Sequence, residues 1–188
     1  MQAIVFDFFG VICSEITPFV LPRYMSQEEA IAYKADVVEE ADLGHIDLPE
    51  VLELLSKRTG ASAAQLLAEF WACVKLNPEV VALIAALKDR YKIALLSNAI
   101  NPFLRQILAR HDLERLFDVI VISAEVGVTK PNAAIYQRLL AELDLPAAQC
   151  FFTDDNRANV SAAQAQGIEA VLFTSVAALK ADLASRGI

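Results

Sequence analysis

Ala3-Ile4-Val5-Phe6-Asp7-Phe8-Phe9-Gly10-Val11 decides the reading of this chain. Apart from Asp7, the run from Ala3 to Phe9 is apolar at every position, so it has no polar face to offer water. That pattern belongs to a strand buried on both sides, as in a parallel sheet. Similar runs recur at Lys92–Ser97, Asp118–Ser123, Gln149–Thr153 and Glu169–Phe173. Helical patterns separate the later four. Asn101-Pro102 is read as N-cap and first helical residue of one helix. Pro131–Leu143 forms the next, followed by Asn156–Gln166 ending at Gly167, and by Ser175–Ser185. Single helices alternating with strands specify an α/β fold, a Rossmann-like three-layer sandwich around a central parallel sheet.

Between about residues 14 and 90 no strand candidate occurs, whereas helix starts do. Ser26-Gln27-Glu28-Glu29 and Ser62-Ala63-Ala64-Gln65 fit the capping-box pattern, and Asn77-Pro78-Glu79 opens a further helix with an acid at its positive end. About four helices are expected here, the last running from Asn77 to Arg90 back to the sheet. The first three form a small all-helical unit inserted after strand one. The predicted division is a core of residues 1–13 and 77–188 with a helical insertion at 14–76.

The composition agrees with a sizeable packed core. The chain has 188 residues, 56% of them hydrophobic, and 24 acidic against 16 basic side chains, a formal net charge of −8. At this size roughly 70% of the unfolded surface can be buried without metal or disulfide staples. An acidic chain without a Lys/Arg cluster is a poor partner for nucleic acid. Mean hydropathy is +0.42, yet the longest uncharged run, Ile93–Leu104, is twelve residues. A membrane span needs about 18 or more. Cys13, Cys73 and Cys150 have no short spacing and read as buried thiols. The expectation is a cytoplasmic protein, monomeric or weakly dimeric.

Open α/β sheets bind ligands outside the carboxyl ends of their strands. There the sequence places Asp7, then Ser97-Asn98, then Gly127-Val128-Thr129-Lys130-Pro131, then Thr153-Asp154-Asp155-Asn156. Three carboxylates, a lysine and a hydroxyl would meet at one edge. Carboxylates so close repel unless a cation sits among them, and hard oxygen donors of this kind suit Mg²⁺. With metal–oxygen bonds near ~2.1 Å, Asp154 and Asp155 are expected within about 8 Å of Asp7.

Four motifs in this order and spacing resemble the haloacid dehalogenase-like superfamily, most of all its small phosphatases with a helical cap inserted after the first strand. The resemblance runs from Ile4 to about Phe173. It implies that Asp7 is a nucleophile forming an aspartyl-phosphate, and that Ser97, with Asn98 beside it, binds the transferring phosphoryl group. Lys130 would neutralise nucleophile and phosphate. Asp155 would bind Mg²⁺ with Asp7, the Phe9 backbone carbonyl and, directly or through water, Asp154. Asn159 stands where a second acid often supports the metal shell. Substrates would be small phosphorylated metabolites. One departure stands out: the family's phosphatases usually carry a second Asp two residues after the nucleophile, as general acid and base, and here that residue is Phe9. A metabolite phosphatase is therefore the leading reading. A catalytically impaired phospholigand-binding member and a dehalogenase-like carbon-centred hydrolase are the alternatives. Retention of the Asp154-Asp155 pair favours the metal-dependent chemistry over the last.

The remaining polar residues are read as structural. Glu39, Glu40 and Asp42 are taken as a solvated helix face, His45 and His111 as surface or helix-end residues, and Phe70 and Trp71 as filling the insertion's core. Cys13 is taken as a packed thiol. Ser14–Pro22 and the loop near Gly44 are the parts of the insertion expected to reach the substrate.

Overall fold

A computed structural model describes all residues, Met1–Ile188. The chain opens with β1 (Ala3–Phe6) and continues through a helical stretch. That stretch comprises α1 (Thr17–Val20), α2 (Gln27–Tyr33), a π-helical turn (Lys34–Val38) that runs on into α3 (Glu39–Asp42), α4 (Leu48–Thr59), α5 (Ala63–Cys73) and α6 (Pro78–Leu87). Then come β2 (Lys92–Ser97), α7 (Phe103–Arg110), β3 (Val119–Ile122), α8 (Ser123–Val126), α9 (Ala133–Leu143), β4 (Cys150–Asp154), α10 (Arg157–Ala165), β5 (Glu169–Leu172) and α11 (Val176–Ala184). The five strands form one sheet in the order β3-β2-β1-β4-β5, every pairing parallel. β1 is central, with all four of its residues fully buried.

The continuous apolar runs are explained by helices on both faces of the sheet. Alternate residues of each strand serve opposite cores. Ala3, Val5, Ala94, Leu96 and Phe152 pack under α9 and α10 through Ile135, Tyr136, Leu139 and Val160. Ile4, Phe6, Ile93, Leu95 and Phe151 pack on the other face with Val80 and Ile84 of α6, Ile107 of α7 and Leu179 of α11. That second core continues without a break into the helical stretch, taking in Val20, Tyr33, Val38, Val51, Leu66 and Phe70. The fold is the three-layer α/β arrangement expected from the sequence.

Element boundaries shift where side chains compete for the backbone. β1 stops at Phe6 rather than Phe9, because the Phe8 N–H donates to Asp7 Oδ1 (2.7 Å) and the Phe8 carbonyl accepts from Ile12 and Cys13. The third strand is trimmed to Val119–Ile122, since Asp118 turns its carboxylate to the Ile93 N–H (2.8 Å) and Ser123 already begins α8. Asn101 does not cap α7. The helix starts at Phe103 with Pro102 in the capping position and no side-chain cap, and the Asn101 carbonyl instead accepts the Leu48 N–H of α4 (3.3 Å). α9 starts at Ala133 with Asn132 as its cap, not at Pro131. The Ser26 capping box closes in both directions, whereas Ser62 makes only the forward bond. A further box, Asp47 with Glu50, starts α4.

Gly44 fixes the end of α3 against α8. Its φ is +79°, and a Cβ there would lie 2.2 Å from the Ala124 carbonyl oxygen. Gly60 has a similar φ of +77° but open space around it. Gly44→Ala should therefore cost about 2 kcal/mol or more, from strain plus a backbone clash. Gly60→Ala should cost only about 1 kcal/mol. Urea midpoints of the two variants check the difference, and equal losses would contradict the close packing of α3 on α8.

Candidate active site

The parallel sheet brings the ends of β1, β2 and β4 together, and the site is assembled on that edge. Phe6 pairs with Leu95 on one side and Thr153 on the other, so Asp7 emerges between Leu96 and Asp154. Asp7, Ser97, Lys130 and Asp154 are all buried. One ligand oxygen from each of Asp7, Asp154 and Asp155 lies within 4.8 Å of the others. The carboxylates are thus as close as the sequence required, with Asp155 the exposed member.

Lys130 organises the cluster. Its ammonium donates to the Leu96 carbonyl (3.0 Å) and Asp154 Oδ2 (2.6 Å) and pairs with Asp7 Oδ1 (2.7 Å). All three of its protons are thereby used. Asn98 sets the lysine's backbone: its Nδ2 donates to the Lys130 carbonyl (2.9 Å) and its Oδ1 accepts the Lys130 N–H (2.8 Å). Ser97 is wholly buried, with its hydroxyl donating weakly to the Asn98 carbonyl (3.3 Å), and it is Asn98 that lines the cavity.

The three acids have different surroundings. Asp154 is saturated: Oδ1 accepts from the Asn156 N–H (2.8 Å), Oδ2 from Lys130, and Asn159 Nδ2 reaches both oxygens at 3.1 Å. Asp7 uses only Oδ1, for Lys130 and the Phe8 N–H, and its Oδ2 has no hydrogen-bond partner. The Asp155 carboxylate lies directly on Gly10, where φ is +85° and a Cβ would stand 2.1 Å from Oδ2. Burial pushes the Asp7 carboxyl up to about 8, with Asp154 adding to the rise and Lys130 opposing it. Burial and the neighbouring Asp154 charge raise Asp155 as well. Burial by itself would lower Lys130, but the Asp7 and Asp154 charges outweigh it and hold its ammonium above the ordinary lysine range.

These residues fit a divalent cation. One ammonium leaves two of the three carboxylate charges uncompensated. Asp7 Oδ2 carries no hydrogen bond, the Phe9 carbonyl accepts none, and the glycine at position 10 leaves space that any side chain would fill. The donors are all hard oxygens, as Mg²⁺ requires.

Above the cluster lies a cavity of about 440 Å³, roofed by the helical stretch. Glu15, Ile16 and Thr17 reach it from the segment after β1, and Phe70 from α5. Ile31, Lys34, Ala35, Val38, Glu39 and Asp42 reach it from one continuous face of α2, the π-turn and α3. Glu39 and Asp42 are therefore not simply a solvated face. Burial, only partly offset by Lys34 and reinforced by Glu15, pushes the Asp42 carboxyl up to about 7. Helical periodicity alone could not reveal this, because it marks the polar stripe without showing that Asp42 turns into a cavity. Phe9 also lines the cavity, its ring set edge-on to Phe8 at 5.0 Å. Cys13 packs in the core, where burial raises its thiol.

The sequence profile of the haloacid dehalogenase-like hydrolases matches residues 1–167. The chain belongs to this family. A sesquiterpene phosphatase of Aspergillus oryzae is 27% identical over 177 residues, covering 92% of this chain and 90% of that protein. A phosphorylated carbohydrates phosphatase of Thermotoga maritima is 27% identical over 184 residues, covering 91% and 84%. In three dimensions, a haloacid dehalogenase family enzyme of Bacteroides thetaiotaomicron superposes with a TM-score of 0.81 at 19% identity, covering 94% of this chain and 95% of that one. Another structure of that enzyme is a complex with magnesium and inorganic phosphate. The chain has the haloacid dehalogenase-like fold, and no helix of it is long and apolar enough to cross a membrane.

The raised Asp42 gives a stability test. Its folded-state pKa exceeds its unfolded one, so its contribution is full below about pH 4 and is lost as pH rises towards about 7. Asp42→Asn should raise the denaturation midpoint above the wild-type value near pH 8, and the two should converge near about pH 4. A variant no more stable than wild type at the higher pH would contradict the burial of this carboxyl.

Proposed function

We propose that the chain is a Mg²⁺-dependent phosphatase of small phosphorylated compounds, working through an aspartyl-phosphate on Asp7. The observation that carries this reading is the Lys130-bound carboxylate cluster at the floor of the cavity. Family membership and the two phosphatase relatives support it.

Asp7 Oδ1 is fixed by Lys130 and the Phe8 N–H, which leaves Oδ2 to attack phosphorus. The attack expels the leaving oxygen and divides one hard displacement into two easier ones. Water then attacks the same phosphorus, releasing phosphate and restoring the carboxylate. Asp7, Asp155 and the Phe9 carbonyl would hold Mg²⁺, which would supply the charge that lets an anionic nucleophile meet a phosphate dianion. Asp154, with both oxygens already engaged, orients Lys130 and would support the metal indirectly. Asn98 holds the lysine loop, and the long Ser97 hydrogen bond is cheap to exchange for one to a phosphoryl oxygen.

Asp7→Asn should cut Mg²⁺-dependent hydrolysis of 4-nitrophenyl phosphate by roughly 10³-fold or more while leaving the fold intact. Turnover that survives the substitution, or needs no metal, would overturn the mechanism; phosphate binding without turnover in wild type would mark a binding protein. Gly10→Ala drives a methyl into the Asp155 carboxylate. It should weaken Mg²⁺ affinity roughly 10–100-fold, as read by activation curves. An unchanged activation constant would remove Asp155 from the metal site.

A further inference from the structure

Phe9 leaves the proposed reaction without a carboxyl two residues after the nucleophile, because an aromatic ring can neither give nor take a proton, and Lys130 beside Asp7 already commits its three protons to Leu96, Asp154 and Asp7. The leaving oxygen departs into the cavity, away from Asp7, so a replacement must line that cavity. Outside the floor cluster, the protonatable side chains there are Glu15, Lys34, Glu39 and Asp42. Lys34 and Glu39 are exposed; Glu15 and Asp42 are partly buried.

Asp42 is distinguished by how it is held. It ends the helical face made by α2, the π-turn and α3, and π-turns are frequent at functional sites. Gly44, two residues on, lies so close to Ala124 that the end of α3 is pinned to α8 and hence to the edge of the sheet. The carboxyl of Asp42 makes no hydrogen bond and no ion pair within the protein, although Arg and Lys side chains elsewhere pair freely with surface acids. A rigidly placed, partly buried and unpartnered carboxyl inside a reaction cavity is an unfavourable arrangement unless a ligand uses it.

The geometry points to Asp42 as the general acid and base that replaces the missing aspartate, an assignment that rests on the phosphatase reading above. As the bond from phosphorus to the leaving oxygen breaks, the Asp42 carboxyl donates its proton to that oxygen and becomes a carboxylate. It then takes a proton from the water that attacks the aspartyl-phosphate, and the next cycle starts with the acid restored. The elevation of Asp42 to about 7 suits both halves, since a group that titrates near the working pH can give and recover a proton. Burial is the main cause of this elevation; among the neighbouring charges, Lys34 and Lys130 favour the carboxylate, and Glu15 and Glu39 favour the acid.

The test is a leaving-group series, from 4-nitrophenyl through phenyl to simple alkyl phosphates, for wild type, Asp42→Asn and Glu15→Gln. A nitrophenolate leaves without protonation, and an alkoxide does not. Asp42→Asn should therefore lower kcat/KM for alkyl phosphates by about 10²–10⁴-fold and far less for 4-nitrophenyl phosphate. Wild type supplies the same contrast without a substitution: its rate on alkyl phosphates should fall as pH rises through about 7, more steeply than on 4-nitrophenyl phosphate. Equal losses on all substrates, a selective loss in Glu15→Gln instead, or parallel pH profiles for both substrate types would overturn the assignment. A wild-type protein inactive on every ester would strike at the phosphatase reading itself, which Asp7→Asn tests separately.

Discussion

The Lys130 ammonium is fully buried, and a cation taken out of water is tolerated only where acceptors replace its hydration. Three do so, one from each of three neighbouring strand ends: the Leu96 carbonyl at the end of β2, Asp7 after β1 and Asp154 at the end of β4. This single group therefore ties the carboxyl edge of the sheet together. It also decides the chemistry of each acid. It immobilises one oxygen of Asp7 and leaves the other free, and it completes the set of bonds that makes Asp154 a fixed anchor. One positive charge cannot balance three carboxylates when all are ionised, and a divalent cation would offset the remaining two charges.

The roof of the site is built with the same economy. The helical stretch between β1 and β2 packs onto the sheet, and its two connecting segments bond to each other through the Ser14 N–H to the Lys75 carbonyl and the Asn77 N–H to the Ile12 carbonyl. Its apolar side chains continue the core beneath one face of the sheet, and Gly44 brings its backbone against that of Ala124. The cavity between roof and floor is thus preformed. Its polar floor binds the phosphoryl group and metal in the proposed mechanism. Its walls mix Phe9, Ile16, Ile100 and Phe103 with the carboxyls of Glu15 and Asp42.

The sheet and the floor of the site were legible because each left a contradiction in the sequence. An aspartate inside an apolar run, and two acids together at the end of another, make sense only if something opposes their charge, and Lys130, in the loop between α8 and α9, does so. Boundaries were less legible, since they depend on which hydrogen bond wins. β1 gives way at Phe6 because Asp7 captures the Phe8 N–H, and Asn101 turns its carbonyl to α4 instead of capping α7. The Asp47–Glu50 box has the required spacing but uses Asp where the Ser26 box uses Ser. Asp42 was hidden for a deeper reason: local sequence shows which face of a helix is polar, but not whether that face looks onto solvent or into a cavity formed by residues far away in the chain.

The most direct test of the central claim is calorimetric titration of the metal-stripped protein with Mg²⁺ near pH 7, repeated in buffers of different ionisation enthalpy. The account predicts a single site that Asp155→Asn weakens. With Asp7 raised to about 8, binding should release close to one proton. No binding at millimolar Mg²⁺, or binding that is indifferent to Asp155→Asn and releases no proton, would contradict it.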